Sequence, residues 1–287
     1  MHVARAFLEL TKPGITVFIG ASTASGFLLA LGGWGEPGRL LLVLVATMAM
    51  SGGAAAHNHL AERGTDARMR RTAGRPLPAG IIRVRDATLF AWGLGGAGFL
   101  LALLTLPWQT TLFLVLCHVS YVNVYTPLKR RSPLSTLAGA VPGALPVLAG
   151  AAATGLPLST GSVALAAVLF TWQVPHFLSL AWLAREDYAR AGQPMLGVLD
   201  PGGSMSARVS LLYAAAMPAF ALAAGWGSAA GGVFTAGAVL CGGAYLVAAA
   251  RFVRVPGRPT ARTLFLASLL VLPLLLATLA ADLVLSI

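Results

Sequence analysis

Residues 39–75 read RLLLVLVATMAMSGGAAAHNHLAERGTDARMRRTAGR, and this stretch decides the fold. Its first part, 39–58, is apolar and small over the length needed to cross a bilayer, about 20 residues. It then turns abruptly polar: Asn58, Glu62 and Asp66 are followed by Arg68, Arg70, Arg71 and Arg75. An apolar run that ends in a basic segment is a membrane helix reaching the cytoplasmic side.

The same reading applied outward predicts nine spans, at 14–33, 39–58, 87–106, 108–126, 134–154, 161–182, 207–226, 231–250 and 263–285. The fourth to sixth are interrupted by Gly and Pro, which membrane helices accept where neighbours satisfy the freed backbone groups. The expected architecture is an all-α, polytopic helix bundle with cytoplasmic cap loops, a single domain over 1–287. Composition agrees: 57% of the 287 residues are hydrophobic and 10% charged, against about 25% charged in a soluble domain. Cys117 and Cys241 both lie in apolar runs and suggest neither a disulfide framework nor a zinc site. No cleavable signal peptide is expected, because the first apolar run is long enough to span and lacks a small-residue cleavage site.

A net charge of +11 would raise nucleic-acid binding in a soluble protein. Here the positions of the charges argue for topology instead. Nineteen of the twenty Lys and Arg residues fall on one side of the nine-span layout, with Arg39 alone on the other. Positive residues mark the cytoplasm, so the amino terminus is expected inside and the carboxyl terminus outside, in a bacterial inner membrane, with no nucleic-acid partner.

The chemistry concentrates in the cytoplasmic segments. Asn58, Glu62 and Asp66 are spaced i, i+4, i+8, so they share one face of a helix, although Gly64 weakens that helix locally. Oxygen-bearing groups in a row suit Mg²⁺, which takes few protein oxygens and completes its octahedron with water and phosphate. The arginines that follow suit phosphate. A solvated helix end salt-bridged to its own arginines has the same spacing. A second segment carries Pro175-His176-Phe177 and then Glu186, Asp187 and Tyr188. A histidine inside a span is costly, which favours function, but it is equally satisfied by a hydrogen bond to a neighbouring helix. In a third segment Tyr125 and Lys129 share a face if the helix persists past Pro127; an interfacial aromatic–cation anchor is the plain alternative.

These segments together resemble the UbiA-type intramembrane prenyltransferases, whose first signature is Asn-x3-Asp-x3-Asp before an arginine-rich stretch. Within that superfamily the chain is similar to the branch that farnesylates protohaem IX. The likeness rests on Met69-x-Arg71-Thr72-x2-Arg75-Pro76-Leu77-x2-Gly80, Tyr125-Thr126-x2-Lys129-Arg130-Arg131, Pro175-His176-Phe177 and Glu186-Asp187-Tyr188-x2-Ala191-Gly192-x-Pro194-Met195-Leu196. Glu62 stands where the superfamily carries Asp. The resemblance implies farnesyl diphosphate and haem B as substrates and Mg²⁺ as cofactor. It implies Asn58, Glu62 and Asp66 as ligands of one Mg²⁺, and Asp187, with Glu186 beside it, for a second. Arg68, Arg71, Arg75, Lys129 and Arg130 would hold the phosphates, Tyr125 would face the allylic cation, and Tyr188 and His176 would contact substrate. Haem iron and a propionate are the two candidate contacts of His176. The isoprenoid tail would lie between helices, open to lipid, and downstream haem-modifying or oxidase-assembly proteins are the expected partners. Two other readings stay open: alkylation of a quinone precursor or other acceptor, and a multi-pass transporter or haem carrier without chemistry.

Overall fold

The computed structural model describes residues 3–226, 228 and 230–285; positions 1, 2, 227, 229, 286 and 287 of the expected domain lie outside the described residues. Among the described residues all regular structure is helical. A short helix α1 (Val3–Leu10) leads into α2 (Pro13–Leu31), α3 (Pro37–Asp66) and α4 (Val84–Thr105). Helix α5 (Trp108–Val119) passes through a π-helical stretch, Ser120–Tyr125, into the single turn α6 (Thr126–Leu128). Then come α7 (Ser135–Ala153), α8 (Thr160–Leu183), the short α9 (Arg185–Arg190) and α10 (Leu196–Leu199), and finally α11 (Ser204–Trp226), α12 (Gly232–Arg254) and α13 (Arg258–Leu285). Among the described residues, counting α5 to α6 as one, nine helices are long and apolar enough to cross a membrane, one for each expected run.

Two boundaries moved for physical reasons. Helix α3 does not stop at residue 58 but continues to Asp66, so Gly64 does not break the ladder. Tertiary contacts to that end of the helix outweigh the roughly 1 kcal/mol propensity cost of one glycine. In the fourth span the chain must pass Pro127, which lacks an N–H and crowds the carbonyl four residues back. The π-helical widening takes up this mismatch, and Thr126 Oγ1 donates to the Tyr121 carbonyl at 2.8 Å. The helix persists beyond the proline, with the Lys129 amide donating to the Tyr125 carbonyl at 3.1 Å.

Spans adjacent in sequence are adjacent in space, and α13 packs back onto α2 to close the bundle. Helices α7 and α8 lie deepest, two thirds of their apolar stretches being buried. The crossing of α2 with α7 depends on two glycines: a Cβ at Gly26 would overlap the Val147 carbonyl, and one at Gly150 the Thr23 carbonyl. In lipid, where apolar burial drives helix association weakly, such close backbone approach is the main source of packing energy. The outer face exposes Leu41, Trp92, Leu104, Leu240 and Leu270. This is the surface of a multi-pass membrane protein.

The end of the bundle opposite the basic loops carries its own polar ties. Arg39 donates to the Thr154 carbonyl at 2.8 Å, at the C-terminus of α7. Asp282, buried on α13, accepts from the amides of Gly231 (2.5 Å) and Phe234 (2.9 Å) at the N-terminus of α12. First-turn amides have no partner within their helix and this end carries positive dipole, so the carboxylate satisfies both needs. Asp282→Ala is expected to lower stability by about 1.5–3 kcal/mol, read as a drop in unfolding temperature in detergent, with Asp282→Asn losing less.

Candidate active site

The i, i+4, i+8 face of α3 survives folding, and each of its three rungs meets a cation from a different part of the chain. Asn58 Oδ1 accepts from Lys12 Nζ at 2.6 Å, from the segment just before α2. Glu62 Oε1 pairs with Lys129 Nζ at 2.6 Å, from the end of the fourth span. Asp66 Oδ2 pairs with Arg75 Nη1 at 2.8 Å, from the loop after α3. All three oxygen-bearing side chains are buried. Thr126 accepts from Asn58 Nδ2 at 3.0 Å and so fixes which way the amide points.

The reach of Lys12 has a structural cause. Its backbone takes a left-handed conformation, φ 50°, immediately before Pro13, a turn that costs a non-glycine residue about 1–2 kcal/mol. The turn brings Nζ to Asn58 and, at 3.1 Å, to the Tyr121 hydroxyl. Burial pushes this ammonium down to about 8, despite the opposing pull of Glu62. For Lys129 burial acts in the same direction, but Tyr125 and Glu62 outweigh it and the ammonium is held above its usual range. Its Nζ lies 5.4 Å from the centre of the Tyr125 ring.

A second patch lies at the same end. Met69 packs in a buried cluster with Ala181, Tyr188, Ala191 and Met195, which joins the loop after α3 to the segment after α8. The Arg71 guanidinium sits 5.9 Å from the centre of the Tyr188 ring. Asp187 accepts from the Arg70 amide at 3.1 Å and pairs with Arg190. Its slight burial raises its pKa, but these two donors outweigh that and hold the carboxyl below the usual range.

One cavity of about 610 Å³ unites most of these groups. Its polar mouth is lined by Lys12, Asn58, Glu62, Asp66, Arg71, Arg75, Lys129 and Tyr188. Tyr121, Tyr125, Trp172, His176 and Phe177 line it further, and Leu114, Leu269 and Pro273 extend it between the helices. Of the thirteen residues expected at the site, nine line this cavity. Asp187 sits beside this mouth without lining it. Arg68, Arg130 and Glu186 are exposed and do not line it either. Arg68 and Arg130 adjoin the lining residues Met69 and Lys129 but lie in turns with their side chains exposed, and Glu186 lies exposed two residues before Tyr188. Arg130 instead ties the chain, donating to the Ala61 carbonyl at 2.7 Å.

Sequence reasoning missed two members. Lys12 reads in the sequence as one more topology charge. Tyr121 lies four residues before Tyr125, so the shared helical face was a signal that could have identified it; the two rings are 5.4 Å apart. For Lys12 only the left-handed turn shows its role.

The donor set suits Mg²⁺. Asp66 Oδ1 is buried on the cavity side of α3 without a hydrogen-bond partner, an expensive state for a carboxylate oxygen that a hard cation or its water relieves. Among the described residues no three His, Cys, Asp or Glu side chains converge as a closed metal cage.

Comparison with known proteins gives a consistent result. The UbiA prenyltransferase family model matches residues 19–279. The chain is 40% identical over 280 residues to the protoheme IX farnesyltransferase of Opitutus terrae, covering 96% of this chain and 94% of that one. It is 36% identical over 279 residues to the mitochondrial protoheme IX farnesyltransferase of Arabidopsis thaliana, covering 96% and 64% respectively. In fold it is similar to a UbiA homolog from Archaeoglobus fulgidus bound to GPP and Mg²⁺, with TM-score 0.71, 17% identity and coverage of 96% and 99%. The apo UbiA homolog from Aeropyrum pernix gives TM-score 0.70 at 22% identity, covering 92% and 98%.

The buried Glu62–Lys129 pair yields a stability test. Lys129→Met alone strands a buried carboxylate and is expected to cost about 3–5 kcal/mol. Adding Glu62→Gln should return most of that loss, as measured by thermal unfolding in a double-mutant cycle.

Proposed function

The chain belongs to the UbiA prenyltransferase family and is a prenyltransferase, and we propose that it transfers the farnesyl group of farnesyl diphosphate to a vinyl group of haem B. Water is added in the same reaction, giving haem O and diphosphate. The observation that carries this is the convergence of Lys12, Lys129 and Arg75 on the α3 ladder at the mouth of an otherwise apolar cavity. The identity to relatives named protoheme IX farnesyltransferase supports haem as the acceptor.

In this reading Asn58, Glu62 and Asp66 would hold a Mg²⁺, with Asp187 for a second, and the ion would supply Lewis-acid stabilisation to the diphosphate leaving group. The side chains do the rest. Arg71, Arg75, Lys129 and Lys12 present positive charge where the leaving group develops it, already oriented and therefore without reorganisation cost. Arg68 and Arg130 add to the field from the rim, and Glu186 lies with them. The allylic cation left behind faces Tyr125 and Tyr121, whose rings stabilise positive charge. Apolar walls beyond them keep water from it until the vinyl group has attacked. The new carbon–carbon bond leaves a cation on the former vinyl carbon beside the porphyrin ring. Water adds there, loses a proton and becomes the hydroxyl of the product. The farnesyl tail lies between helices, open to lipid, and the product leaves through the bilayer towards haem-modifying or oxidase-assembly proteins.

We place the protein in a bacterial inner membrane with the amino terminus and active site cytoplasmic and the carboxyl terminus outside. The distribution of nineteen Lys and Arg residues against one supports this.

Two experiments test the reading. Purified protein given haem B, farnesyl diphosphate and Mg²⁺ should form a product heavier than haem B by one farnesyl and one hydroxyl group. Asp66→Asn or EDTA should stop that reaction while the protein stays folded in the membrane. Alkylation of a quinone precursor alone would overturn the choice of acceptor. Lys12 adds a pH signature. It is charged below and neutral above a pH of about 8, so farnesyl diphosphate affinity should fall as pH rises through that value. Lys12→Arg, which stays charged, should flatten this alkaline limb.

A further inference from the structure

We propose that Nε2 of His176 is the axial ligand that receives the iron of the haem acceptor, and that Ser268 is the positioning residue that fixes its protonation. The inference rests on the reading of haem as substrate given above and goes beyond it by choosing iron over propionate.

The choice follows from one proton. His176 Nδ1 lies 2.7 Å from Ser268 Oγ, a contact that by itself allows either atom to donate. Ser268 has a single hydroxyl proton, and it is spent: Oγ donates to the Phe265 carbonyl at 2.5 Å. The hydroxyl can therefore only accept from the ring, so Nδ1 carries the hydrogen. The polar contact of the ring is a neutral hydroxyl, and its other close neighbours are aromatic: Trp172, Phe177 and Phe265. Such a setting holds the neutral imidazole, because a buried cation would need a paired charge. A neutral ring with its proton on Nδ1 has a lone pair at Nε2. That nitrogen cannot donate to a propionate, and it would repel one. It is what a metal centre requires, and a ligating histidine whose other nitrogen donates to an oxygen is the usual arrangement around bound metals.

Position and rigidity agree. His176 lines the same cavity as the diphosphate-side residues. Its ring stacks on Trp172 at 5.1 Å and 19° and on Phe265 at 5.1 Å and 28°, so its plane is set from both α8 and α13. The scaffold is itself tied down. Trp172 Nε1 donates to the Ser268 carbonyl at 2.9 Å, and the Tyr245 hydroxyl of α12 donates to the Trp172 carbonyl at 2.9 Å. Three helices thus hold one imidazole, at a cost in buried polar groups that packing alone does not require.

The test is haem B titration of the full-length protein in nanodiscs, followed by optical and electron paramagnetic resonance spectra together with product formation. Wild type should show imidazole-ligated haem. His176→Ala should lose that signature and regain it on addition of free imidazole. Ser268→Ala keeps the backbone bond to Trp172 but frees the tautomer, so haem affinity should fall about tenfold to a hundredfold, with mixed ligation. Ser268→Thr, which keeps the hydroxyl, should restore both. If wild type farnesylates haem and His176→Ala leaves its spectrum unchanged, this assignment is wrong while the proposed function stands. If wild type neither binds nor farnesylates haem, both fall.

Discussion

A carboxylate at the edge of the hydrocarbon needs an opposite charge, and this requirement organises the whole active end of the molecule. Helix α3 carries two carboxylates and an amide, one turn apart and buried. None of them can be stable there alone. Their partners come from three distant places in the chain: Lys12 before α2, Lys129 after the π-helical fourth span, and Arg75 in the loop that follows α3 itself. Satisfying the ladder therefore closes the basic end of the bundle and gathers the cations around a single mouth. The same contacts that make the site foldable make it suited to a diphosphate.

Below the mouth the chemistry changes character. Tyrosines, then a tryptophan, a histidine and phenylalanines, replace the charges, and aliphatic side chains continue the cavity between helices. In the proposed reaction the leaving group needs charge stabilisation and the allylic cation needs shelter from water, and one cavity offers both settings. Helix α8 bridges them: its C-terminal end leads to Tyr188 and Asp187 at the mouth, while His176, two turns earlier, faces the interior. Small residues such as Gly26 and Gly150 let α2 and α7 approach closely enough to form the wall.

Much of this was legible before any coordinates. The nine spans emerge from apolar run length, and the basic residues gather in alternate loops. The α3 ladder follows from spacing alone, and the likeness to prenyltransferases from four motifs in order. Other features were hidden for identifiable reasons. Lys12 looks like one more topological charge, because nothing local signals a left-handed turn before a proline. Arg68, Arg130 and Glu186 look equivalent to their neighbours in sequence, and only the folded backbone turns their side chains outward. Asp282 had no evident role, since its partners are amides some fifty positions away in sequence.

By itself the sequence determined how many times the chain crosses the membrane, which end of each helix is basic, and which side chains share the face of α3. These are short-range properties, governed by hydrophobic run length and the helical repeat. Tertiary structure alone decided which cation neutralises which oxygen, that the fourth span widens to pass Pro127, and that the hydroxyl of Ser268 meets the ring of His176. Those depend on side chains from remote segments meeting within hydrogen-bond distance. Which of many possible meetings occurs is settled only when the helices pack against one another.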